Sequence, residues 1–117
     1  MPSVSLVILL DVDEAIQVFI SNLSKKIVLE SIIIFGSTAR GDRLMESDVD
    51  LIVVSDSFSN MPLNERFRIV YMAWPPQIDA DIIPLTKREL ESILKRSVIL
   101  KDAQKYWRVI KVMDEQR

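Results

Sequence analysis

Apolar and polar positions recur along the chain with two different periods, and the changes of period outline the elements. Ile16, Phe19, Ile20, Leu23 and Ile27 fall on one face of a helix. Asp11 with Glu14 three residues on has the form of a capping box, so the pattern predicts a first helix over about residues 11–27. The carboxylates of Asp11-Val12-Asp13-Glu14 are accounted for by that helix start, where the helix dipole favours negative charge, rather than by a metal. The unbroken β-branched run Ser31-Ile32-Ile33-Ile34-Phe35 predicts a strand buried on both faces. A second strand is expected over residues 48–55, after a short helical turn through Ala39.

Beyond a loop over residues 56–60, Pro62 suits the first position of a helix that carries Leu63, Phe67, Val70, Tyr71 and Trp74 at helical spacing. Pro75-Pro76 stops it. Residues 78–85 predict a third strand, with Asp79 and Asp81 on one face and Ile78, Ala80 and Ile82 on the other. Thr86-Lys87-Arg88-Glu89 is a second capping box, opening a helix with Leu90, Ile93 and Leu94 towards the core. Residues 97–100 read as a short extended link, and a last helix over about residues 102–115 places Ala103, Tyr106, Trp107 and Ile110 on one stripe. The aromatics Phe19, Phe67, Tyr71, Trp74, Tyr106 and Trp107 are expected in the core rather than as base-stacking platforms. These elements describe an α+β fold, an α/β sandwich with a small mixed sheet flanked by helices.

Composition narrows the chemistry. The 117 residues suit one domain over residues 1–117, able to bury roughly two thirds of its unfolded surface. A net charge of -2 supplies no electrostatic footprint for an extended nucleic-acid-binding surface. With no cysteine, disulfides and thiolate chemistry are excluded, which suits a cytoplasmic protein; with no histidine, metal and acid–base work falls to carboxylates, lysine, tyrosine or water. The apolar Val4-Ser5-Leu6-Val7-Ile8-Leu9-Leu10 lacks the cationic start and cleavage site of a signal sequence and is too short to span a bilayer. It is expected in the core, with a partner or self-association surface as the alternative.

The two glycines of the chain, Gly36 and Gly41, both lie between the first two strands. A Gly36-Ser37 pair between strand and helical turn lets backbone N–H groups and a hydroxyl approach a phosphate. The motif is not a P-loop, because Asp42-Arg43 stands where Lys and Ser or Thr are required, and no Gly-x-Gly occurs for a dinucleotide fingerprint. Asp48 and Asp50 leave the same face of the second strand, about 6.5–7 Å apart at Cα, and both can reach one cation. Oxygen ligands with room for water and substrate phosphates suit Mg2+. Asp81 or Asp79 could join them from an adjacent third strand.

The run Gly36-Ser37-Thr38-Ala39-Arg40-Gly41-Asp42, followed by Ser47-Asp48-Val49-Asp50-Leu51-Ile52-Val53, closely resembles the signature of the DNA polymerase β-like nucleotidyltransferase superfamily. The resemblance is strongest to its minimal nucleotidyltransferase (MNT) branch and covers residues 31 to about 100. Asp81-Ile82-Ile83-Pro84-Leu85-Thr86 looks like that family's third-carboxylate strand; Asp79 also qualifies, but the apolar run after Asp81 fits the pattern better. The resemblance implies that Gly36 and Ser37 hold the triphosphate, that Asp48 and Asp50 bind Mg2+, and that Asp81 completes the site and helps deprotonate the acceptor hydroxyl. Arg40 would contact phosphate or pair with a carboxylate such as Asp42. It further implies transfer of a nucleoside monophosphate, AMP from ATP, and a partner chain of the HEPN toxin type, with the MNT protein as antitoxin. A homo-oligomer that completes the site, or a module without turnover that binds nucleotide or inhibits a partner by contact, are the alternatives.

Overall fold

The computed structural model describes residues 11–36 and 49–112. Helix α1, Val12–Ser24, starts at the expected capping box: the Asp11 carboxylate accepts from the Glu14 N–H at 2.8 Å, and Glu14 accepts from the Asp11 N–H at 3.1 Å. It ends three residues earlier than the apolar spacing predicts, with Lys25 as C-cap and Ile27 buried beyond it. Strands β1, Ser31–Phe35, and β2, Val49–Val54, pair antiparallel. A 3-10 turn, Asp56–Asn60, leads to α2, Leu63–Ala73, and then to β3, Ala80–Leu85, which lies parallel to β2. Helices α3, Lys87–Arg96, and α4, Val98–Ala103, follow, then a 3-10 turn, Gln104–Tyr106, and strand β4, Arg108–Lys111.

The four strands form one mixed sheet in the order β3-β2-β1-β4. Its two central strands are the two apolar runs, as burial on both faces requires. Ile32 and Ile34 of β1, Leu51 and Val53 of β2 and Ile82 of β3 pack against Ile16, Phe19 and Leu23 of α1 and Val70 of α2. Phe19 meets Trp74 edge to face at 5.1 Å between ring centroids, and burying a ring of that size is worth about 1.5–3 kcal/mol. The Asn22 side-chain amide donates to the Ala73 carbonyl at 2.9 Å and ties the ends of α1 and α2 together. On the opposite face Ile33, Ile52 and Val54 form a smaller cluster with Phe35, Leu85, Leu90 and Trp107.

The C-terminal part departs from the sequence pattern. Residues 108–111, expected within a helix over 102–115, are a strand antiparallel to β1, with Ile110 opposite Ile32. The open edge of β1 accepts a strand there, and the alternation Trp107, Val109 against Ile110, Val112 has the matching period of two. Residues 98–103, expected as part of a link and the start of that helix, are helical because Ser97 caps them, accepting from the Leu100 N–H at 3.1 Å. The aromatic stripe is also only partly core: Phe19 and Trp74 are buried, whereas Phe67, Tyr71 and Tyr106 are exposed. The expected helical turn through Ala39 and the apolar residues 4–10 lie outside the described residues.

Candidate active site

The site is built where β1 ends and β2 and β3 begin. β1 runs into Gly36, whose φ of +73° is the left-handed conformation that side chains disfavour. A Cβ on Gly36 would also strike the carboxylate of Asp50, which would have to shift, so the backbone angle and this close approach both favour glycine here. Asp50 is the second residue of β2, opposite Phe35 in the antiparallel register and opposite Asp81 in the parallel one. Because strand residues alternate, Asp50, Ile52 and Val54 share the face of the smaller cluster, while Val49, Leu51 and Val53 enter the main core.

Adjacent strands lie about 4.8 Å apart, so the paired positions of Asp50 and Asp81 bring two carboxylates onto one face at neighbouring points. Asp79 stands one residue before β3, where its backbone carbonyl accepts from the Val49 N–H at 3.0 Å. The register therefore brings Asp81, and not Asp79, directly opposite Asp50. Ser37, Arg40 and Asp48 lie outside the described residues. Among the described residues no group of three or more carboxylates is close enough to hold a metal ion. The two at paired positions, Asp50 and Asp81, carry hard oxygen donors, the type that Mg2+ prefers.

The helical stripe assigned Tyr71 to the core and missed its hydroxyl. That hydroxyl accepts from the Ile82 N–H at 2.9 Å and donates to the Ala80 carbonyl at 3.3 Å, on either side of Asp81. The signal was the residue type: a tyrosine, unlike a phenylalanine, on an apolar stripe brings a polar tip that needs a partner. A hollow of about 610 Å³ lined by Asp56, Ser59, Thr86, Lys87 and Glu91 lies at the other end of the β2–β3 pair, away from Asp50 and Asp81. No helix among the described residues is long and apolar enough to cross a membrane.

The sequence profile of the nucleotidyltransferase domain matches residues 15–117. The chain belongs to the nucleotidyltransferase domain family. Among solved structures, a candidate nucleotidyltransferase from Sulfolobus solfataricus is 32% identical over 67% of this chain and 78% of its own, with a TM-score of 0.45. A toxin–antitoxin crystallised with AMP-PNP is 19% identical over 75% of this chain and 77% of its own, with a TM-score of 0.46. No curated protein matches the sequence significantly. The α+β architecture and its mixed sheet are those expected of this nucleotidyltransferase domain.

Proposed function

We propose that this nucleotidyltransferase domain moves a nucleoside monophosphate, AMP from ATP, onto an acceptor hydroxyl at a Mg2+ site formed by Asp48, Asp50 and Asp81. The observation that carries the reading is the pairing of Asp50 with Asp81 across β2 and β3, beside a left-handed Gly36. In a chain without histidine or cysteine, carboxylates are the natural metal ligands, and two of them on neighbouring strands fit a hard divalent cation. When bound, such a cation neutralises charge on the transferring phosphate and on the attacking and leaving oxygens.

The residues then divide the work. Gly36, lacking a Cβ, lets the turn lie against Asp50, and with Ser37 it offers backbone N–H groups to the triphosphate. Arg40 adds positive charge next to the phosphates. The acceptor oxygen attacks the α-phosphorus in line, the bond to the β-phosphate oxygen breaks, pyrophosphate leaves, and the acceptor proton passes to a carboxylate oxygen of Asp81. The acceptor belongs to a partner chain of the HEPN type, which places this protein as the MNT antitoxin of a pair.

The test is incubation with α-labelled ATP, Mg2+ and the protein encoded beside this chain, repeated with Asp50→Asn. Label that appears on the neighbour and disappears in the variant is the expected result. If nothing is labelled and Asp50→Asn still restrains the neighbour's activity, the domain acts by contact alone and the transferase reading is wrong.

A further inference from the structure

Among the described residues the sheet order leaves β3 at an edge. An edge strand turns alternate peptide groups away from its neighbour, where no strand pairs them. Two such groups flank Asp81. The Ala80 carbonyl belongs to the peptide plane before the Asp81 Cα, and the Ile82 N–H to the plane after it. Together these planes set φ and ψ of Asp81, and so the direction in which its side chain leaves the strand. The Tyr71 hydroxyl, accepting from Ile82 and donating to Ala80, does for both planes what a further strand would do.

The clamp is itself held. Tyr71 stacks on Phe67, one turn earlier in α2, with centroids 6.3 Å apart and rings 21° from parallel. Val70 and Ala73 on the same helix are buried in the main core. Tyr71 remains 44% exposed, so water competes for its hydrogen bonds and their contribution to folding is small. Their effect falls on local geometry.

We infer that Tyr71 is a positioning residue for Asp81: its hydroxyl fixes the backbone on both sides of that carboxylate so that Asp81 and Asp50 can share one divalent cation. This rests on the proposed function only in placing a cation between the two.

The test uses the full chain, Tyr71→Phe, and Asn22→Ala as a control that removes a hydrogen bond between α1 and α2. Mn2+ affinity is measured by electron paramagnetic resonance with a non-hydrolysable ATP analogue, alongside amide exchange at Ile82 and the kinetics of transfer. Since small misplacements of a reacting group are costly, Tyr71→Phe should exchange Ile82 faster, bind Mn2+ about fivefold more weakly and lose about tenfold in kcat, with KM for nucleotide nearly unchanged. Asn22→Ala should match the wild type in Mn2+ affinity and kcat. Unchanged Mn2+ affinity in Tyr71→Phe, or an equal loss in Asn22→Ala, overturns the inference. If the wild type binds Mn2+ but transfers nothing, the transferase reading fails and the Mn2+ comparison still decides the role of Tyr71. A wild type that binds no Mn2+ overturns both.

Discussion

Asp50 and Asp81 occupy paired positions on the parallel strands β2 and β3, so two carboxylates leave one sheet face side by side. Like charges directly opposite each other in a sheet oppose its pairing. The cost is small, about 0.2–1 kcal/mol, and a bound cation reverses its sign.

Stability should therefore respond to Mg2+ through this pair. In chelator, Asp81→Asn is expected to be as stable as the wild type or more stable by about 0.5 kcal/mol, since one of two facing charges is gone. At Mg2+ ten times its dissociation constant the wild type should gain about 1.4 kcal/mol, and the variant much less. Urea unfolding with and without Mg2+ measures both. An equal gain in the two proteins would place the cation elsewhere.

Gly36 supplies a second, geometric prediction. A left-handed non-glycine residue costs about 1–2 kcal/mol, and in Gly36→Ala the new methyl also strikes the Asp50 carboxylate. In the Asp50→Ala background the carboxylate is gone and the Cβ of residue 50 lies 3.5 Å away, an ordinary contact. Gly36→Ala should thus destabilise Asp50→Ala less than it destabilises the wild type. A double-mutant cycle by denaturant unfolding would show the coupling; strict additivity would mean that only the backbone angle matters.

The parts of this molecule legible in the sequence are those where local and tertiary demands agree. The runs at 31–35 and 51–54 are too apolar to lie anywhere but mid-sheet, and both capping boxes close as their residues require. The glycine at 36 marks a turn whatever the fold. Strand order was not legible, because nothing local says whether β3 pairs with β2 or stands apart, and on that pairing depends which of Asp79 and Asp81 faces Asp50. The C-terminal strand was misread for a related reason. Ala103, Tyr106, Trp107 and Ile110 satisfy a helical stripe, while the vacant edge of β1 that turns residues 108–111 into a strand exists only in the assembled sheet.

The acid limit of stability should be set in part by Glu89. Its carboxylate is held below the ordinary value of 4.5, first by the hydrogen bond from Arg66 and next by the backbone N–H of Thr86. A depressed carboxylate stabilises the fold at pH above 4.5, and that contribution is lost as pH falls through its lower folded value. Glu89→Gln should therefore flatten the decline in stability below pH 4.5. At neutral pH it should cost about 2 kcal/mol, because the Arg66 guanidinium, only 7% exposed, loses its charged partner. Thermal melts from pH 3 to pH 7 would check the slope; parallel curves would assign no role to the pair.

Trp107 links the last strand to the end of β1, next to Gly36. Its ring lies 6.3 Å from that of Phe35, the residue immediately before Gly36 and opposite Asp50. Removing the half-buried indole should cost about 2 kcal/mol and loosen the packing around Phe35 in the smaller cluster. The loss should extend beyond stability, since freedom at Phe35 is passed through one peptide bond to the left-handed glycine. Trp107→Ala is expected to lower nucleotidyl transfer several-fold at a temperature where the variant is still fully folded, and Trp107→Phe to restore most of it. The comparison requires unfolding curves and transfer rates on the same preparations. A Trp107→Ala protein that is less stable but transfers at the wild-type rate would confine this contact to the fold.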